Sequence, residues 1–231
     1  MKKCIFLFCL SILFISCDST KYISFTQNKE DIITNQNLKD FLKNNKSPKV
    51  VLRVPNSSLA VTDTEDNSYL FNAIENEFLA NGFLVRDRQL FNQILSNSDN
   101  NVDYSVLRDK SDTDLIIELS QLKYDVLYET NKYTDDAGRE KVENKIVHKR
   151  YGAMVEFKVI IVKNNEYAGV YRFNYVPCSD SPCQILSLKK KVELEKENKK
   201  AGILPYEGVE KNEMELFIKG ATNKLIKEMR R

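Results

Sequence analysis

Ala153-Met-Val-Glu-Phe-Lys-Val-Ile-Ile-Val162, then Lys163-Asn-Asn-Glu166, then Tyr167-Ala-Gly-Val-Tyr-Arg-Phe-Asn-Tyr-Val176, is the stretch on which the fold turns. The first run is the strongest strand in the chain, dense in β-branched and aromatic residues. The polar residues after it predict a tight turn. The second run returns with Tyr167, Tyr171, Phe173 and Tyr175 placed on one face.

Working upstream, Asp114-Leu-Ile-Ile-Glu-Leu-Ser-Gln-Leu122 predicts another strand. Its apolar run continues as the alternation Leu122, Tyr124, Val126, Tyr128. A polar hairpin tip follows from Tyr133 to Glu140, and 141–151 return with weak alternation and many charges. These segments make a β-meander.

Before the meander, Leu38, Phe41 and Leu42 mark a short helix, and Lys49-Val-Val-Leu-Arg-Val54 is a strand closed by Pro55. After the polar 56–67 loop, Ser68 reads as a helix cap ahead of Leu70, Phe71, Ile74, Phe78 and Leu79, with Gly82 as the stop. Phe83-Leu-Val85 is a short strand, and Asp87 caps a helix carrying Leu90, Phe91, Ile94 and Leu95. Tyr104, Val106 and Leu107 suggest another short helix. After a Lys/Glu-rich segment at 187–200, Met214, Phe217, Ile218, Ala221 and Leu225 predict a closing amphipathic helix. The order predicts an α/β fold: one mixed-sheet sandwich, extended by the meander and closed by a C-terminal helix.

The chain has 231 residues, 42% hydrophobic and 29% charged, which suits one well-packed domain. Residues 1–16 have the form of a leader: a basic Met1-Lys2-Lys3, then an apolar run at 4–15 too short to span a bilayer. Without Lys2 and Lys3, the 35 basic residues become 33, against 33 acidic ones. A neutral chain lacks the cationic surplus of a dedicated nucleic-acid binder, so none is expected as partner.

Phe14-Ile15-Ser16-Cys17 resembles a bacterial lipobox, with Leu13 one place further from Cys17 than the commonest pattern has it. The resemblance implies that Cys17 becomes the lipidated (palmitate-bearing) first residue of a mature lipoprotein, since several acyl chains on one residue anchor stably. An ordinary cleaved leader with a coincidental cysteine is the alternative. Residues 17–35 are then a polar tether and 36–231 one domain. The expected place is the cell envelope, at the outer membrane facing the periplasm. Asp18 is a retention signal in enteric bacteria and keeps the inner membrane open.

Beyond Cys17 only Cys178 and Cys183 remain, around a Ser-Asp-Ser-Pro turn. Export places such a pair in an oxidising compartment, which predicts a disulfide. A metal site would need further ligands, and the one histidine, His148, is far away in sequence.

The strings Val50-Val-Leu-Arg-Val54, Phe83-Leu-Val-Arg-Asp-Arg88 and Asp112-Thr-Asp-Leu-Ile-Ile-Glu118, with the meander and closing helix, resemble a known pattern. It is similar to the periplasmic domain of curli secretion-channel (CsgG-like) lipoproteins and, more distantly, to the TolB amino-terminal domain. The resemblance covers about 48–176 and 212–229. It implies an α/β fold and, as an alternative function, an outer-membrane secretion-channel subunit. Against a membrane barrel, the return strand of the 122–151 hairpin carries Lys141, Glu143, Lys145, Lys149 and Arg150 on both faces. Each Lys or Arg facing lipid at mid-bilayer costs ~2–4 kcal/mol.

No phosphate-binding glycine loop, metal motif or nucleophilic constellation is written in the chain. The expectation is therefore no enzyme, no catalytic residues and no cofactor, with a hydrolase built around His148 as the remote option. Seven of the eleven tyrosines fall in the meander. Tyr suits both half-buried sheets and interfaces, so Tyr124, Tyr128, Tyr167, Tyr171, Phe173 and Tyr175 are the candidate interaction surface. The reading is a non-enzymatic, lipid-anchored envelope protein that contacts an unidentified envelope partner, with homo-oligomerisation open.

Overall fold

The computed structural model describes residues 20–26, 28–54, 67–96, 112–185 and 208–231, with 193, 196, 197 and 200. Cys17 and the leader, the loop after Val54, the short helix expected around Tyr104 and most of 187–200 lie outside them.

The chain is of α/β class. Its strands are β1 (Tyr22–Ile23), β2 (Asp31–Thr34), β3 (Lys49–Arg53), β4 (Leu84–Val85), β5 (Leu115–Thr130), β6 (Lys132–Thr134), β7 (Glu140–Val142), β8 (His148–Ile161), β9 (Glu166–Tyr175) and β10 (Cys183–Gln184). The described helices are α1 (Gln36–Asn44), α2 (Ser68–Ala80), α3 (Arg88–Ser96) and α4 (Lys211–Arg230). No helix among the described residues is long and apolar enough to cross a membrane.

The strands form a six-stranded sheet in the order β2-β9-β8-β5-β3-β4 and a four-stranded one in the order β10-β1-β6-β7. The chain divides into two compact units. One gathers the described residues through Phe25 with Glu129–His148 and Cys178–Leu204. The other holds Thr26–Tyr128, Lys149–Pro177 and Pro205–Arg231. The sequence predicts a tether over 17–35 and one domain beyond it. Two stretches of that tether, Tyr22–Ile23 and Asp31–Thr34, are strands. Both are too short to show a period.

In the larger unit, β3 runs parallel to both β4 and β5, whereas β9 is antiparallel to β8 and β2. One face of the sheet contributes Leu52, Ile117, Val155, Phe157 and Tyr171 to the main core, with Leu38, Phe71, Ile74 and Leu225 from the helices. A smaller cluster joins Val51, Ile116, Ile160 and Val162 to Phe91 of α3.

Local chemistry places the helices. The Asn35 side chain accepts the Leu38 N–H at 2.9 Å to start α1, and Asp87 accepts the Leu90 N–H at 2.9 Å to start α3. Gly82, at φ +82°, turns the chain out of α2 in a conformation that other residues adopt only under strain. The residue ahead of α2 is Asn67, without a side-chain cap bond, so Ser68 is its first helical residue and not its cap. Leu79 and Leu90, both expected on buried helix faces, are 53% and 58% exposed.

Candidate functional site

The candidate tyrosine surface divides. Along β8 and β9 the register runs Val155↔Phe173, Phe157↔Tyr171 and Val159↔Gly169, then slips so that Ile160 faces Tyr167. That bulge absorbs Ala168 and reverses the alternation, moving Tyr167 off the row it was expected to share. Tyr167 is 58% exposed, with the Lys158 ammonium 6.0 Å from its ring centre.

Tyr171 and Phe173 are core, at 0% and 2% exposed. The Tyr171 hydroxyl meets that of Thr34, and its ring lies so close to Gly169 that an added Cβ would sit 2.6 Å from it. Burial pushes the Tyr171 phenol up to about 12, with the Thr34 hydrogen bond acting the other way. Tyr175 stacks at a tilt on Phe217 of α4, their ring centres 5.9 Å apart. Tyr128 is buried against Gly152 and accepts a 3.1 Å hydrogen bond from the Asn28 side chain. Tyr171, Phe173 and Tyr128 are therefore closed to a partner in this fold. Tyr124 and Tyr167 are the exposed members.

The opposite face of the same sheet carries a charge ladder that sequence reasoning missed. Ser120 Oγ donates to Glu156 Oε1 at 2.7 Å, Arg172 Nη2 donates to Glu156 Oε2 at 2.6 Å, and Arg172 Nη1 reaches Asp31 at 3.0 Å. Arg53 donates to Glu118 at 3.2 Å. Burial would raise the Glu156 carboxyl, but Ser120 and Arg172 outweigh it and hold the group below its ordinary range. The signal was present: Glu118 with Ser120, and Glu156 with Lys158, put polar residues at alternate positions of otherwise apolar strands. Each of these carboxylates has a cationic partner, so the ladder reads as structural pairing of buried charge.

An open groove of about 600 Å³ runs between α2 and the start of α3, lined by Asn72, Asn76, Leu79, Arg86 and Gln89 among others. Inside it Arg88 donates to Glu75 at 2.9 Å. Among the described residues no group of His, Cys, Asp and Glu is arranged to hold a metal ion.

The smaller unit is built on acidic hubs. Asp135, in the β6–β7 turn, binds the Lys141 ammonium at 2.8 Å and accepts the N–H groups of Ala137 and Arg139. Lys141 foremost, with Arg139, holds its carboxyl far below the usual range. Glu143 binds the Lys21 ammonium through one oxygen and His148 Nε2 through the other, at 3.1 Å. Lys21, with help from His148 and against the effect of burial, keeps that carboxyl low. His148 is thus part of an ion cluster, bonded to a carboxylate that a lysine already holds. Cys178 and Cys183 are disulfide-bonded. Cys183 also pairs with Ile23 of β1.

No family model matches this chain, and no curated protein matches it. Solved structures similar to it include two dodecamers of PelC from Paraburkholderia phytofirmans. One, a point variant, is 12% identical, covering 88% of this chain and 100% of that one at TM-score 0.41. The second is 10% identical over 87% and 96% of the two chains, at 0.39. A PDZ domain protein from Parabacteroides distasonis is 12% identical over 86% of this chain and 40% of that one, at 0.30. All three are distant likenesses.

Proposed function

We propose that this chain is a non-enzymatic lipoprotein of the bacterial envelope, held by lipid on Cys17 and acting through contact with another envelope protein. The observation that carries the reading is the Cys178–Cys183 disulfide. Cytosolic thiols are kept reduced, so a structural disulfide fits a chain that is exported. The lipobox-like Phe14-Ile-Ser-Cys17 behind a basic and apolar leader supplies the anchor. Tyr124 and Tyr167, exposed on the larger unit, are the side chains suited to a partner.

The channel alternative is less well supported. The β6–β7 tip pairs over three residues per strand, where a spanning strand needs ~9–11. The decisive experiment is fractionation of the Cys17→Ala variant. It is expected to be unprocessed or to leave the membrane fraction in high salt. Retention of the cleaved variant on membranes would refute the lipid anchor.

A further inference from the structure

Val142, Ile146 and Val147 are 54%, 50% and 54% exposed, three branched aliphatic side chains within six residues of the smaller unit. Isolated exposed aliphatics are ordinary, but a cluster marks a surface that something covers. The chemistry of the run is specific. Across 141–148, Lys141 and Lys145 are exposed, and Glu143 is the single carboxylate. Glu143 is already paired with Lys21 and bonded to His148, and Lys141 is held by Asp135. Lys145 remains beside Ile146. No aromatic residue occurs in the run, whereas protein interfaces favour them. Aliphatics interleaved with lysines are the chemistry of an anionic membrane surface.

The path of the chain brings that surface within reach. The Thr20 N–H donates to Asp136 in the β6–β7 turn at 2.8 Å, Lys21 binds Glu143, and Tyr22 pairs with Thr134 of β6. Cys17 precedes Thr20 by three residues, a covalent reach of at most about 11 Å. A lipid on Cys17 therefore holds this hairpin against the bilayer.

We propose that 142–147 is a second membrane contact, in which Val142, Ile146 and Val147 enter the headgroup region and Lys145 engages anionic lipid. This rests on the lipid-anchor reading. The acyl chains supply a high local concentration, so a contact too weak to bind alone is occupied.

The chain contains no tryptophan, so Ile146→Trp places a single reporter in the segment. Val147→Trp is the second choice should the first variant fold poorly. The processed full chain, purified from envelopes, is reconstituted into phosphatidylcholine vesicles with and without phosphatidylglycerol. Blue-shifted emission and quenching by brominated lipid are expected, strongest with phosphatidylglycerol. Adding Lys145→Gln should weaken the quenching several-fold.

Water-like, unquenched emission from both reporters, with acyl chains on Cys17 verified by mass, overturns the proposal. So does a concentration-dependent blue shift without lipid quenching, which would assign the patch to a second copy. A Cys17 without lipid would sink the anchor reading instead. In that case the processed protein is coupled through its Cys17 thiol to a maleimide lipid in the same vesicles, which restores the local concentration: quenching supports the contact and its absence overturns it.

Discussion

The hydroxyls of Tyr171 and Thr34 share a 2.8 Å hydrogen bond that ties the middle of β9 to the last residue of β2. Thr34 also reaches the Glu228 carbonyl of α4 at 3.5 Å, so the pair joins an edge strand, its neighbour and the closing helix. Tyr171→Phe keeps the ring and deletes the bond. The expected loss is about 1 kcal/mol in urea unfolding. Tyr171→Ala empties a fully buried site and should lose ~3–5 kcal/mol. A Tyr171→Ala variant as stable as the parent would return this face to the surface.

Alkaline titration reads the same residue differently. The Tyr171 phenol ionises near 10.0 in the unfolded chain and at about 12 in the fold. Below 10.0 both states carry the proton and stability is flat. Between the two values only the unfolded chain loses it, so stability falls as pH rises. Tyr128, also raised by burial, adds to the slope. Tyr171→Phe should flatten the curve of unfolding midpoint against pH. An unchanged slope would mean that the phenol is solvated.

Two glycines are held by close approach. A Cβ at Gly152 would lie 2.4 Å from the Tyr175 carbonyl and 2.5 Å from the Tyr128 ring, and one at Gly169 would lie 2.6 Å from the Tyr171 ring. Neither set of neighbours can swing away, because Tyr128 and Tyr171 are buried. Gly152→Ala and Gly169→Ala should each cost ~1–3 kcal/mol, with Gly152 the more sensitive since it meets backbone. Gly138, with nothing within 4 Å but φ +75°, serves as a comparison for backbone strain alone. Thermal melts of the three alanine variants give the ranking, and a Gly152→Ala protein as stable as its parent would contradict it.

Arg172→Leu removes the cation from a Glu156 side chain that is only 7% exposed. Hydrogen bonds to charged groups contribute ~1.5–3 kcal/mol, and the 39% exposure of Arg172 places this one at the lower end. The paired carboxyl sits below its ordinary 4.5, so its contribution is full above that pH and is lost as pH falls through the folded value. Without Arg172, burial raises the carboxyl and acid unfolding should begin at higher pH. Adding Glu156→Gln should recover part of the loss. Superimposable acid-unfolding curves for parent and Arg172→Leu would show the pair to be inert.

The disulfide closes a loop with a sequence separation of 5. So small a ring stabilises by only about 2 kcal/mol in the loop-entropy description. Changing both Cys178 and Cys183 to Ser should therefore lower the melting temperature modestly and leave the six-stranded sheet folded. Free thiols at both positions in unreduced, denatured protein would contradict the bond.

Much of the larger unit is legible because its signals are long. Lys49–Val54, the 3.6-residue spacing of α2 and the runs of β5, β8 and β9 each supply enough apolar positions to show a period. The bulge between Val159 and Ile160 is invisible in residue types, so the sequence groups Tyr167 with Tyr171 although it stands on the other face. The smaller sheet is hidden for a related reason. Its strands are two or three residues long and come from three separate places, and no local pattern can show that Tyr22 pairs with both Thr134 and Gln184. The exposed Val142, Ile146 and Val147 are masked by charged neighbours, which turn attention to whether the hairpin could span a membrane.

The position of β2 has a consequence for how the protein is made. Asp31–Thr34 pairs with 169–172 of β9, and the Thr34–Tyr171 bond closes over 137 residues. In a chain that emerges amino end first, β2 thus precedes its partner by more than a hundred residues, while β1 can meet Thr134 of β6 before Cys183 and Gln184 arrive. Until β9 is available, Asp31–Thr34 is an unpaired strand open to the wrong neighbour, and Ile32 and Ile33 stay exposed even in the fold. Long-range pairing of this kind slows folding. The arrival of β9 beside the amino-terminal strand is therefore the step that sets the pace of folding in the larger unit.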